Sequence, residues 1–283
     1  MTPESMVQQL DRLVSLPDVY HRVEERVADP CATVPDIARA LTGDPAMTAR
    51  VLGVVNSALY GFPARIESVP MAITIIGTRG LRDLMLGMSI ARAFDGIATE
   101  LVDMDRFWEH AVYCGLMTRA LGREAGMRAH ERLFLGGLCH DLGKLVMYHL
   151  APAASEGILR ALGRGEQELT QLERQHLGCD HAQVGGALLE RWHLPAPLCI
   201  ATRWHHAPGE APEYPRMAAL VHIADELAQP VEPSHYRHTR ATPAIDPTAA
   251  HLAPADEAVL QRLRLQVDLE TAELYERLFT QPQ

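Results

Sequence analysis

The chain has 283 residues and a mass of 31.2 kDa, enough to bury a core as one large domain or two smaller ones. Its composition, 47% hydrophobic and 22% charged, is that of an ordinary globular protein and excludes disordered, collagen-like and coiled-coil classes. Against 26 Lys and Arg stand 36 Asp and Glu, a net charge of −10 that repels phosphate backbones, so neither nucleic acid nor an anionic membrane is expected as a partner.

Helical periodicity runs nearly throughout. Met6, Leu10, Leu13 and Val14 define a first helix closed by Pro17, and a second spans about Asp18 to Ala28. Thr33 caps a third with Pro35 in its first turn; Asp44 caps a fourth over Ala46 to Val55. Asn56-Ser57 ends that helix, and its side chains are expected to bond backbone across the bend that follows. Ser68 to Ile76 is short and apolar, and Thr78 begins a longer helix to about Phe94. The second half starts near Asp105, with helices to about Ala125, from Glu131 to Cys139, Glu166 to His176, Asp180 to Trp192, Pro195 to Trp204 and Pro215 to Ala228. Pro230 to Pro254 lacks period and reads as a long, functional or mobile loop. A last helix follows Pro254 to about Leu278. With aromatics at 5% and poor strand signals, the chain reads as all-α.

No apolar run approaches the ~20 residues of a membrane span. Met1 to Leu16 carries Glu4 and Asp11 and lacks the basic and apolar regions of a secretory leader. The five cysteines, Cys31, Cys114, Cys139, Cys179 and Cys199, form no CxxC pair, which with their odd number points to a reducing, cytoplasmic location. Walker, GxGxxG, nucleophile-elbow and HExxH motifs are absent from the sequence.

Ten of the 14 histidines lie between His110 and His222. The adjacent pair His140-Asp141 ends an apolar stretch, and an imidazole beside a carboxylate suits a divalent cation, the first offering a neutral nitrogen and the second charge and a bridging geometry. His110, His181, His205-His206 and Asp225 are the candidates to join it, while Lys144, one turn beyond His140, is placed to hold a phosphate beside the ion. Structural roles compete. Asp141 could cap the helix starting near Gly143, and His205-His206 could be a solvated helix end. Residue types and spacing leave both readings open. Cys139 and Cys179 lie near these positions but read as small buried hydrophobes.

From Leu13 to Leu227 the order of motifs resembles the HDOD family, the HD-related output domains of bacterial signalling proteins. The resemblance rests on Leu16-Pro17, Asp44-Pro45 through Leu52, Val55 through Gly61 and Ala72 through Gly77. It continues in Gly137-Leu138-Cys139-His140-Asp141-Leu142-Gly143-Lys144, Glu173 through Gly178, Asp180-His181, Gly185-Gly186, Trp192 through Pro195 and His205-His206. It implies an N-terminal helical subdomain (1–104) and a larger HD-like subdomain (105–229), followed by the loop (230–253) and C-terminal helix (254–283) read from composition and period. It also implies a signal-transduction role exerted through a partner protein or a phosphorylated small-molecule ligand, with the N-terminal subdomain and the loop as contact regions.

The metal pattern of the wider HD superfamily, carried over, puts His110, His140, Asp141 and Asp225 on one ion. Asp141 would bridge to a second ion on His181 and His205, with His206 near the substrate or another ion, and Fe, Mn and Zn are the candidate metals. The alternative the resemblance implies is a metal-dependent phosphohydrolase of cyclic-dinucleotide type, in which Asp141 and Lys144 would act catalytically. A module that senses a nucleotide without hydrolysing it is a third. The match to cyclic di-GMP phosphodiesterases stops at Ala207, which follows His206 where those enzymes carry an acid, and at Glu213-Tyr214-Pro215, which lacks their turn glycine.

Overall fold

Prolines and short polar caps set where the helices of this chain begin. The computed structural model describes residues 1–10, 14–94, 100–128, 130–163, 168–228, 244–253 and 255–279, and among them every element is helical. In order these are α1 (Pro3–Leu10), α2 (Asp18–Ala28), α3 (Val34–Thr42), α4 (Pro45–Val55), α5 (Val69–Ala93), α6 (Met104–Glu124), α7 (His130–Cys139), α8 (Leu142–Leu150), α9 (Pro152–Leu162), α10 (Leu169–Leu177), α11 (His181–Arg191), α12 (Ala196–Trp204), α13 (Pro215–Leu227), α14 (Pro247–Leu252) and α15 (Glu257–Phe279), with a short 3₁₀ turn at Pro208–Glu210. No helix among the described residues is long and apolar enough to cross a membrane.

The chain forms two compact units. The smaller comprises Val14–Asp95 and Asp268–Gln283. In it α2, α3 and α4 pack on α5 around Val23, Leu41, Met47, Val51, Leu81, Met85 and Met88, all buried. Asp44 accepts from Met47 N–H at 2.8 Å and pairs with Arg92 at 3.3 Å, so one carboxylate both caps α4 and ties it to α5. The break expected between Ile76 and Thr78 is a kink inside α5 at Gly77, whose φ of 75° suits glycine alone among common residues. The bend after α4 is clamped as its sequence suggests. Asn56 Nδ2 donates to Leu52 O and Ile66 O at 2.8 and 2.9 Å, and its Oδ1 accepts from Ile66 N–H at 2.8 Å. Near the C-terminal end of α15, Arg277 donates to Gly53 O at 3.1 Å.

The larger unit comprises Met1–Leu13 and Gly96–Val267. Two glycines set how closely its helices approach. A Cβ on Gly137 of α7 would lie 2.2 Å from Cys114 O of α6, and one on Gly143 of α8 would lie 1.9 Å from His181 O of α11. Any side chain there would force the backbones apart.

This division departs from 1–104, 105–229, 230–253 and 254–283 at both ends. Helix α1 belongs to the larger unit because its buried face, Met6, Val7 and Leu10, packs on α8 and α11. Helix α15 is shared, its residues beyond Val267 falling in the smaller unit. The expected loop Pro230–Pro254 is corrected in part. Pro247–Leu252 is helical, because Asp246 accepts from the N–H groups of Thr248 and Ala249 at 2.7 and 3.1 Å and Pro247 opens the first turn. Residues 229–243 and 254 of that segment lie outside the described residues. Helix α9, opened by Pro152, was not among the predicted elements.

Candidate metal centre

All the histidines and acids singled out in the sequence meet in the larger unit. His110 comes from the first half of α6, His140 from just past the end of α7, and Asp141 from the residue preceding α8. Lys144 lies in α8, His181 opens α11, His205 and His206 follow α12, and Asp225 lies near the end of α13. The glycine contacts at Gly137 and Gly143 bring α6 to α7 and α8 to α11 beside these residues, so the crossings and the cluster share one cause.

Hydrogen bonds aim the rings. His140 Nδ1 donates to Gly137 O and His205 Nδ1 to Thr202 O, each at 2.7 Å, while His181 Nδ1 donates to Glu173 Oε2 at 2.7 Å. A neutral imidazole that donates through Nδ1 keeps a bare lone pair on Nε2, and in all three rings Nε2 faces the cluster. Glu173 is buried in α10 and also accepts from His181 N–H at 3.0 Å, which fixes ring and backbone together. His222 works at one remove. Its Nδ1 donates to His205 O at 2.9 Å, and its Nε2 accepts from Asp246 N–H at 2.9 Å, so both of its nitrogens are committed.

Asp141 stands at the middle. Its Oδ2 lies 3.4 Å from His140 Nε2, 3.6 Å from His110 Nε2 and 2.8 Å from Lys144 Nζ, and its Oδ1 lies 3.3 Å from His181 Nε2. Asp225 Oδ1 is 3.4 Å from His110 Nε2 and 3.5 Å from His140 Nε2. His110 and His140 approach through their Nε2 atoms at 3.2 Å, and His181 and His206 at 2.9 Å. Although Asp141 is ion-paired, both of its oxygens and His205 Nε2 are buried without a well-formed hydrogen bond. Asp141 occupies the position before α8 but does not cap that helix, so its carboxylate serves the cluster.

Burial opposes charge on both acids. Even so, His140, Lys144 and His181 hold Asp141 well below the usual carboxylate range, and the neighbouring His110 and His140 do the same for Asp225. Burial, aided by the neighbouring His140 and His181, pushes His205 down to about 3, and burial with His205 and His181 takes His206 well below its ordinary range. His181 is raised despite burial because Glu173 faces it. His110 is raised well above the ordinary range against burial, with Cys114 and Asp225 beside it; burial pushes the Cys114 thiol up too, which leaves the carboxylate as the effective partner.

The donor set fits a divalent metal. Ligands held about 2.1 Å from one ion lie about 3.0–3.4 Å from each other, close to the 2.9–3.6 Å spacings found here. Three overlapping groups, His110-Cys114-His140-Asp225, His140-Asp141-His205 and His181-His205-His206, each have their donor atoms within 4.8 Å of one another. Cys114, Glu173 and His222 were not picked out as functional in the sequence. Cys114 had a legible signal, its place four residues after His110 on one helical face; Glu173 and His222 act only through contacts made by folding.

The HDOD domain family model matches residues 13–208. A protein of unknown function from Treponema pallidum (strain Nichols) is 26% identical over 210 residues, and the chain spans 40% of the length of that relative and 74% of its own. An HDOD domain protein of unknown function from Geobacter sulfurreducens is 20% identical, with a TM-score of 0.77 over 98% of both chains. A candidate phosphohydrolase from Shewanella amazonensis SB2B is 22% identical, with a TM-score of 0.68 over 96% of this chain and 92% of its own. At these identities the structural likeness shows the fold.

Proposed function

The chain belongs to the HDOD family, and from that premise we propose that it is a cytoplasmic signalling module built around a divalent metal centre, acting through binding of a partner protein or a phosphorylated small molecule. His110, His140, Asp141 and Asp225 would hold one ion, and His181, His205 and His206 would complete a second position that shares Asp141. The observation that carries the reading is the Asp141 carboxylate: both oxygens are buried, Oδ2 meets the Lys144 ammonium at 2.8 Å, and Oδ1 has no hydrogen-bond partner and faces His181 Nε2 at 3.3 Å. Such acceptors are costly to bury unless a cation uses them. Fe, Mn and Zn all accept this mixture of imidazole and carboxylate. Five free thiols agree with a reducing compartment. For a protein partner, the smaller unit offers Met71 and Ile75, exposed one turn apart on α5.

A second reading, metal-dependent phosphohydrolysis, is favoured by Lys144. Its ammonium is buried beside Asp141, where it would neutralise charge growing on a phosphoryl oxygen. A bound ion would supply Lewis acidity and a water made acidic enough to attack at neutral pH. His206 and Asp225 are the cluster members that reach solvent and mark the side from which a phosphate would enter.

Elemental analysis of protein expressed in metal-replete medium tests the first reading. A stoichiometric transition metal is expected in the wild type and background content in the His140→Ala, Asp141→Ala double variant; a metal-free wild type refutes it. For the second, bis(4-nitrophenyl) phosphate with added Mn²⁺ or Fe²⁺ should turn over faster than with the double variant. Equal rates leave the binding role alone.

A further inference from the structure

We propose that Cys114 is a ligand of the ion held by His110, His140 and Asp225, so that this half of the centre is a mixed nitrogen, oxygen and sulfur site. The inference rests on the metal centre proposed above and goes further, naming a ligand and with it the class of ion preferred. Cys114 lies one helical turn after His110 on α6, so both side chains leave the same face. Its Sγ lies 3.6 Å from His110 Nε2, and its donor atom lies within 4.8 Å of those of His110, His140 and Asp225.

The thiol's position is set by the fold. Gly137 of α7 packs directly on the Cys114 carbonyl, so α6 and α7 approach closely at this residue. A small buried hydrophobe at a helix crossing needs no such company; this thiol instead shares its pocket with two imidazoles and a carboxylate. The other buried cysteines lie elsewhere. Cys139 neighbours Cys199, and Cys179 lies 3.9 Å from the sulfur of Met6.

On binding, the S–H bond breaks, its proton passes to solvent and the sulfur lone pair forms the bond to the ion, with no change of oxidation state. A thiolate in an imidazole and carboxylate set shifts preference from hard manganese or magnesium toward zinc or ferrous iron.

The test substitutes cobalt(II) into the metal-depleted protein, in a Cys31→Ser background that removes the exposed thiol. An intense near-ultraviolet sulfur-to-cobalt charge-transfer band is expected. It should persist in Cys139→Ser and vanish in Cys114→Ser while the weaker visible bands of bound cobalt remain. Preference for zinc over manganese in competition should fall on the order of tenfold or more in Cys114→Ser. A band that survives in Cys114→Ser, or visible bands without a charge-transfer band in the parent, overturns the sulfur ligand and leaves the metal centre standing. Absence of any cobalt bands overturns both. Should Cys114→Ser not fold, X-ray absorption at zinc in the unaltered chain decides: a sulfur shell at about 2.3 Å supports the proposal, and a shell of nitrogen and oxygen alone refutes it.

Discussion

In the smaller unit, the Asn56 amide spends its donors on two carbonyls and its oxygen on a backbone N–H, and the bend from Asn56 to Ile66 is held by those bonds. In the larger unit, Asp141 is more deeply buried, yet its Oδ1 has no hydrogen-bond partner and its Oδ2 meets only the Lys144 ammonium among well-placed donors. Both residues follow the end of an apolar helix, and both are short polar side chains. One closes its own hydrogen-bond account with backbone; the other is left facing imidazoles whose far nitrogens are already committed. A polar group satisfied within the fold stabilises structure, whereas one desolvated among donors of bare lone pairs has affinity to offer.

Four experiments break or sharpen that contrast. Asp141→Ala should reduce bound metal to background and abolish the stabilisation that metal brings to the wild type. With free metal at about 100 Kd that stabilisation is about 2.7 kcal/mol, roughly 5–10 °C in Tm for a unit of this size; equal Tm increments on metal addition for both proteins would contradict it. Gly143→Ala places a methyl 1.9 Å from the His181 carbonyl and should cost about 3 kcal/mol in denaturant unfolding, with loss of metal because His181 moves. Asn56→Ala should cost about 2 kcal/mol but leave metal content unchanged, and a fall in metal content there would erase the distinction between the units.

The fourth effect is in pH. In the metal-free chain His205 has a folded value of about 3 against an ordinary 6.5. Below pH 6.5 the unfolded chain therefore takes up a proton that the folded chain refuses, and stability falls as pH drops toward 3. His206 acts in the same direction, and His181, raised by Glu173, in the opposite one. His205→Gln removes only its own contribution, so between pH 6.5 and 4 the variant should lose less stability than the metal-free wild type. Parallel pH profiles would show that His205 is not held neutral.

Local chemistry made much of the helix map legible. Asp44-Pro45 opens α4, Asp18–Ala28 matches a helix residue for residue, and the Ile76–Thr78 break is Gly77 with a positive φ. Each depends on atoms within a few residues of each other. Helix α14 shows the limit: its Asp246-Pro247 start was present in the sequence, but the surrounding Pro, His and Thr hid the period. The resemblance to a family supplied the ligand set; spacing and residue type had left it open between ion binding and ordinary helix ends.

What the amino-acid order dictated, then, was the all-α class, most helix boundaries and the identity of the residues able to bind a cation, since propensity, capping and donor chemistry belong to single residues and their near neighbours. Folding alone decided how closely His110 and Asp225 approach, that Glu173 and His222 orient rings they are distant from along the chain, and that the Cys114 thiol lies beside His110 and the candidate ligands. Those facts follow from helices meeting where glycines let backbones touch, and the distance between a Gly137 and a Cys114 carbonyl is written in no stretch of sequence shorter than the packed unit.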